Sequence, residues 1–390
     1  MYEPIKPRLR IILLILGLVT VFVAGTWAAP HILSLYYETR GEQILEEVFK
    51  SDASLANRIA CETSHLADRS MQIQLREAIA YLQKAIKYNS KSAQSHLLLG
   101  RLYCLMGDTG NAVDAYLVFT ESRPDNPLGH LELGFAYESN KNISKAVREW
   151  KLGGVTSTKL IDAGEQDRKS KRFDEALLWY KRAMLIEENS DAWFYTGITQ
   201  QELKNWHKAL DAYDKALDLD IFSHVSESDV YLQQGLIYQG ADGYTNFDKA
   251  LQMYNQALKL DDFSNQNLKA EVFYRRGYLY QQQGRDPEES ITEYQRALSI
   301  RPNHHWARLR LGYAWYWAYN DLEGAEREIQ QALYIWPNDG YQIWPYKYLG
   351  DIYLDAGLLD KAISAYEEVL SLDKNNKEIK EILADLMNQK

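Results

Sequence analysis

His96 to Pro124 reads HLLLGRLYCLMGDTGNAVDAYLVFTESRP, and the spacing within it decides the fold. Gly100 is followed three residues on by Tyr103, and Ala112, Tyr116 and Phe119 then fall at steps of four and three. Those steps place the triplet on one helical face. The triplet recurs as Ala146/Trp150/Gly153, Ala176/Tyr180/Ala183, Ala209/Tyr213/Ala216, Ala250/Tyr254/Ala257, Ser290/Tyr294/Ala297, Ala325/Ile329/Ala332 and Ala362/Tyr366/Val369, with an outlier upstream at Ala78/Leu82/Ala85. A glycine precedes each except the outlier: Gly100, Gly134, Gly164, Gly197, Gly235, Gly277, Gly312 and Gly350, a unit of about 34 residues with insertions.

Each unit holds two amphipathic segments too short to persist alone, because isolated helices under about 12 to 15 residues are marginal in water. Stacking has to stabilise them. Small residues at the glycine and alanine positions let two helix axes approach, and the large Tyr or Trp fills the space beside them. Eleven of the 28 tyrosines occupy the two aromatic positions, which gives much of the tyrosine content a packing role.

At these residues the chain resembles the tetratricopeptide repeat family, whose pattern is W-x2-L-G-x2-Y, then A-x3-F, then P. Leu99, Gly100, Tyr103, Ala112, Tyr116 and Pro124 meet it nearly in full, and Pro302 and Pro337 close two later copies. The resemblance covers about 76–373 in eight copies. It implies an all-α fold, a right-handed superhelical solenoid of antiparallel helix pairs. Phe119, Gly153 and Val369 stand where the family has a small alanine, and Gly153-Gly154 marks the weakest register. Ile379, Ile382, Leu383 and Leu386 form one apolar stripe, as a closing helix needs.

The expected division is a cytoplasmic N-terminus at 1–10, a transmembrane helix or signal anchor at 11–29, a helical spacer or cap at 30–72, the repeat array at 73–374 and a capping helix at 375–390. Residues 11–29, IILLILGLVTVFVAGTWAA, carry no charge and as a helix just cross a hydrocarbon core of about 30 Å. Lys6, Arg8 and Arg10 precede them, so the positive-inside bias keeps the N-terminus cytoplasmic and sends the array across the membrane. A cleaved signal peptide, with Thr26-Trp27-Ala28 as a small-x-small site, is the competing reading and exports the same domain.

Composition bounds the partners. At 390 residues, 46% hydrophobic and 25% charged, the chain is globular, and its net charge of −10 opposes binding to nucleic acid. Searches for a Walker A loop, GxGxxG, GxSxG, HExxH and CxxC find nothing, so no enzyme, cofactor or metal is expected. His96 and His130 fall at the repeat position where the family places a packing Trp, and a metal needs three or four ligands. Cys61 and Cys104, if the front unit keeps register, sit on adjacent first helices about 13 Å apart along the axis, so two free, mostly buried thiols are expected.

The resemblance also implies that first helices line a concave groove through positions 2, 5, 6, 9, 12 and 13 of a 34-residue numbering with the glycine at eight. From the sixth copy onward these positions turn aromatic: Tyr274, Arg275 and Tyr278, then Trp306, Arg310, Tyr313, Tyr316 and Trp317, then Trp344 and Tyr348. Binding surfaces are enriched in Trp, Tyr and Arg. The expected function is a membrane-anchored scaffold that takes a protein or peptide partner in this groove during assembly or regulation of an envelope complex. The alternative is a carbohydrate-binding or polysaccharide-assembly accessory protein in which a glycan stacks on the rings. Against both stands plain packing of these side chains on one another.

Overall fold

The computed structural model describes residues 29–51, 61, 69–336 and 342–388. Among the described residues there are nineteen α-helices and no strand. They are α1 (Ala29–Ser51), α2 (Arg69–Tyr88), α3 (Ala93–Leu105), α4 (Thr109–Ser122), α5 (Pro127–Ser139), α6 (Ile143–Leu152), α7 (Ser157–Lys169), α8 (Phe173–Ile186), α9 (Ser190–Glu202) and α10 (Trp206–Leu219). There follow α11 (Glu227–Gly240), α12 (Phe247–Leu260), α13 (Gln266–Gln282), α14 (Pro287–Ile300), α15 (His305–Tyr319), α16 (Leu322–Ile335), α17 (Ile343–Asp355), α18 (Leu359–Leu372) and α19 (Lys377–Asn388). The predicted spanning segment lies outside the described residues except for Ala29, which opens α1; among the described residues no helix is long and apolar enough to cross a membrane.

The chain divides into two compact units, one of residues 1–160 with 185–187, the other of 161–184 with 188–390. In the first, α1/α2, α3/α4 and α5/α6 pair as hairpins and successive hairpins touch through α2 and α3, then α4 and α5. In the second, α9/α10, α11/α12, α13/α14, α15/α16 and α17/α18 do the same. Ile379, Leu383 and Leu386 of α19 are buried and Ile382 is partly buried in the core cluster that also holds Tyr366 and Val369 of α18.

Helix starts follow the sequence. Asp108, Asn142 and Asn246 each accept a backbone N–H three residues on, and Asn126 accepts from Leu128 in front of Pro127, which needs no partner at the first helical position. Several turns within a repeat need a left-handed residue. Gly107, Gly284 and Gly357 supply it at φ 74°, 62° and 70°, whereas Lys141, Lys171 and Lys204 adopt φ 59°, 61° and 58°.

The repeated glycine and the repeated aromatic meet inside one hairpin. A Cβ at Gly350 would lie 2.5 Å from the Tyr366 ring and one at Gly277 2.9 Å from that of Tyr294; Gly100, Gly197 and Gly235 face Tyr116, Tyr213 and Tyr254 in the same way. These rings are fully buried. Hence the space beside the glycine is filled by the second helix of its own repeat.

Two expectations about the front of the chain change. Within the segment expected as a spacer or cap without repeat signature, residues 30–51 belong to α1, which packs on α2 as in a repeat hairpin: a Cβ at Gly41 would lie 2.7 Å from the Leu82 side chain, and Ala78, Leu82 and Ala85 are fully buried; of residues 52–68 only Cys61 is among the described residues. Cys61 and Cys104 are joined in a disulfide, with Cα atoms 4.2 Å apart, so they are not free thiols. The expectation failed because Cys61 lies between α1 and α2 instead of on a first helix in register with α3. Both cysteines are buried, as expected.

Candidate functional site

First helices of successive repeats in the second unit touch one another in the order α9, α11, α13, α15, α17. The ten predicted groove residues lie on the last three. Arg310 of α15 places its guanidinium carbon 4.8 Å from the Tyr278 ring centroid on α13 and 5.2 Å from that of Tyr348 on α17. Tyr313 lies 4.7 Å from Tyr348 and 5.9 Å from Trp317. Trp344 continues the series at 6.3 Å from Tyr348 and 6.4 Å from Trp306. Seven of the ten thus form one aromatic strip around a single cation. Trp317 is its most open member, 51% exposed, while Tyr348 is buried as its floor.

The other three do different work. Tyr274 is buried and packs at 4.9 Å on the ring of His304. Tyr316 is buried too, and its hydroxyl donates to Asp355 at 2.7 Å. Arg275 is tied to Glu271 at 2.6 Å. Burial alone would raise the Glu271 carboxyl, but the His304 hydrogen bond and the Arg275 charge bring it down to about 2. His304 accepts the Ala307 N–H at Nδ1, so the proton that bonds Glu271 sits on Nε2.

Charge pairing singles out Arg310. Arg168 pairs with Glu165 and Glu202, Arg276 with Glu293 and Arg308 with Glu328. Among the described residues no carboxylate lies within ion-pair distance of Arg310, and its buried Nε has no hydrogen-bond partner. Burial pushes the Tyr348 phenol up to about 12 although the Arg310 charge opposes it.

A second feature has no counterpart in the sequence reading. The buried tyrosines send their hydroxyls to acceptors on the first helix: Tyr213 to Gln201 at 2.9 Å, Tyr254 to Gln239 at 2.6 Å and Tyr294 to Gln281 at 3.0 Å. Tyr180 and Tyr366 bond Glu165 and Asp351, each at 2.8 Å. Glutamine at position twelve of three consecutive copies is the signal that could have found it. Those Oε1 atoms are occupied from within the hairpin, and the Gln201 amide donates in turn to Gln233 at 3.5 Å.

Surface clefts lie elsewhere in the second unit, one of 410 Å³ on α16 and one of 430 Å³ beside Trp193 and Lys215. Among the described residues no group of three or more His, Cys, Asp and Glu is placed to hold a metal ion. His96 and His130 each reach a carbonyl of the preceding turn at 2.9 Å, Ser90 and Pro124 respectively.

Comparison with known proteins gives tetratricopeptide repeat profiles matching residues 74–127, 191–220, 270–304 and 345–376. A tetratricopeptide repeat-containing protein of Methanocaldococcus jannaschii is 25% identical over 194 residues, 48% of this chain and 32% of the relative, so the chain spans about a third of that protein. Among solved structures, PilF of Pseudomonas aeruginosa is similar at TM-score 0.49 and 16% identity, covering 59% of this chain and 97% of that one. PilW, described as a type IV pilus biogenesis factor, gives TM-score 0.48 and 15% identity over 58% and 98%.

Proposed function

We propose, from the premise that this chain is built of tetratricopeptide repeats, that it is a membrane-tethered scaffold whose second unit binds an extended polypeptide along the first-helix face of α13, α15 and α17. Tetratricopeptide repeats generally bind protein or peptide partners. The observation that carries the reading is the strip from Tyr278 through Arg310, Tyr348 and Tyr313 to the half-exposed Trp317. Rigid rings bury much area for little lost entropy.

The tether is part of the same proposal. Its support is the uncharged 11–29 stretch behind Lys6, Arg8 and Arg10, together with the Cys61–Cys104 bond, a kind of linkage that persists in oxidising compartments outside the cytosol. Assembly or regulation of an envelope complex is the role that this placement suggests.

A photo-crosslinking residue at Trp317 tests the reading in native membranes, with one at Tyr334, which is 90% exposed on α16, as the control. Discrete polypeptide adducts at 317 and none at 334 are expected, and Tyr313→Ala should deplete them. Equal or absent adducts at both positions reject the groove. Quenching of tryptophan fluorescence by isolated oligosaccharides, without polypeptide adducts, would move the function to glycan binding.

A further inference from the structure

The geometry points to Arg310 as the receptor for an acidic side chain of the bound polypeptide, so that the partner carries an Asp or Glu next to the residue that packs on Tyr313 and Trp317. The inference rests on the groove reading and adds a specificity to it.

A guanidinium has two needs, a surface for its faces and acceptors for its five N–H donors. The first is met at Arg310 by Tyr278 and Tyr348, supplied by α13 and α17 on either side of α15. The second is not. Its Nε is buried without a hydrogen-bond partner, and among the described residues no carboxylate pairs with it. Other arginines on first helices of this unit differ: Arg168, Arg275, Arg276 and Arg308 each bond a glutamate at 2.6 to 2.7 Å. The chain has a surplus of ten acidic charges, yet among the described arginines on first helices of this unit Arg310 is the one without a carboxylate partner.

Stacking on rings fixes the plane of the guanidinium before a ligand arrives, and a preorganised fork loses little entropy on pairing. It also lowers the local dielectric, which strengthens a charge-assisted bond. A planar carboxylate matches the fork, and a lysine on the partner would be repelled. The neighbouring aromatic strip, 4.7 Å from Tyr348 to Tyr313 and 5.9 Å on to Trp317, takes an apolar side chain beside the acid.

The test selects random dodecapeptides on the full chain and on its Arg310→Gln and Arg310→Lys variants, with thermal midpoints measured for each. From the unaltered chain we expect binders with Asp or Glu at a fixed distance from an apolar or aromatic residue. A selected glutamate peptide should bind about tenfold more tightly than its glutamine analogue, the size of one charge-assisted hydrogen bond. In Arg310→Gln the ratio should fall to about one while the glutamine analogue binds as before. Arg310→Lys should keep a smaller preference, which separates lost recognition from lost folding. Binders with no fixed acid, or a ratio that survives Arg310→Gln, overturn the inference and leave the groove reading standing. No binders at all, or displacement only by an oligosaccharide of uronic acids, overturns both.

Discussion

Gly235 sits against the Tyr254 ring with no room for a methyl group, whereas Gly240, five residues on in the same helix, has open space where its Cβ would be. The same substitution should therefore change sign between them. Gly235→Ala is expected to destabilise by about 1 to 3 kcal/mol through overpacking, and Gly240→Ala to stabilise by about 0.4 to 1 kcal/mol by restricting the unfolded chain. Urea titrations of both variants give the comparison directly. His130 carries a pH dependence. Burial alone would lower its pKa from 6.5, but the Glu149 carboxylate at 2.7 Å and the Pro124 carbonyl reverse that and raise it. A group raised on folding contributes stability in full below its unfolded pKa and loses it as pH rises through the folded value. The stability advantage of the unaltered protein over His130→Gln should accordingly shrink as pH climbs above 6.5, as read from denaturation midpoints across that range.

At the scale of the element, the starts of α9 and α11 act as clasps on the loops that leave α10 and α12. Ser190 donates to Ala216 at 2.8 Å and accepts the Ile221 N–H, while buried Asp191 accepts the N–H groups of Ser223 and His224 at 3.1 and 2.9 Å. Ser228 and Asp229 repeat the arrangement with Ala257, Asp262 and Ser264. Asp191→Ala strands those donors and should cost about 1 to 3 kcal/mol, with faster hydrogen exchange at Ser223 and His224 and no change at Ser264. The helix pairs themselves were legible from the sequence, since glycine and tyrosine recur at positions that only close helix packing requires. The α1/α2 hairpin was not, because Gly41 and Ala78 are separated by a far longer stretch than the step of twelve from Gly100 to Ala112. That Tyr278, Arg310, Tyr313 and Trp317 share one side of their helices was legible by angle alone. An angle does not say how deeply a neighbour covers a side chain, so the pattern presents Tyr348 as open surface although Tyr313 and Arg310 from the preceding repeat lie over it. Arg310 stands out only against the partners of the other arginines, which no spacing rule reveals.

Over the whole molecule, stability in a repeat array is close to a sum of local and nearest-neighbour contributions, so small gains made in separate repeats add. Lys141, Lys171 and Lys204 hold left-handed backbone at turns where Gly107, Gly284 and Gly357 do so freely. A side chain with a Cβ carries a conformational cost there that glycine lacks, net of the extra freedom that glycine gives the unfolded chain. Replacing each lysine by glycine should add roughly 0.5 kcal/mol or more, and the triple variant should melt several degrees higher than the parent; unchanged melting would mean that the lysine side chains repay their strain. The fold thus carries thermal headroom at three turns that can be claimed without touching the face proposed for a partner, which makes those turns the first place to engineer a hardier version of the protein.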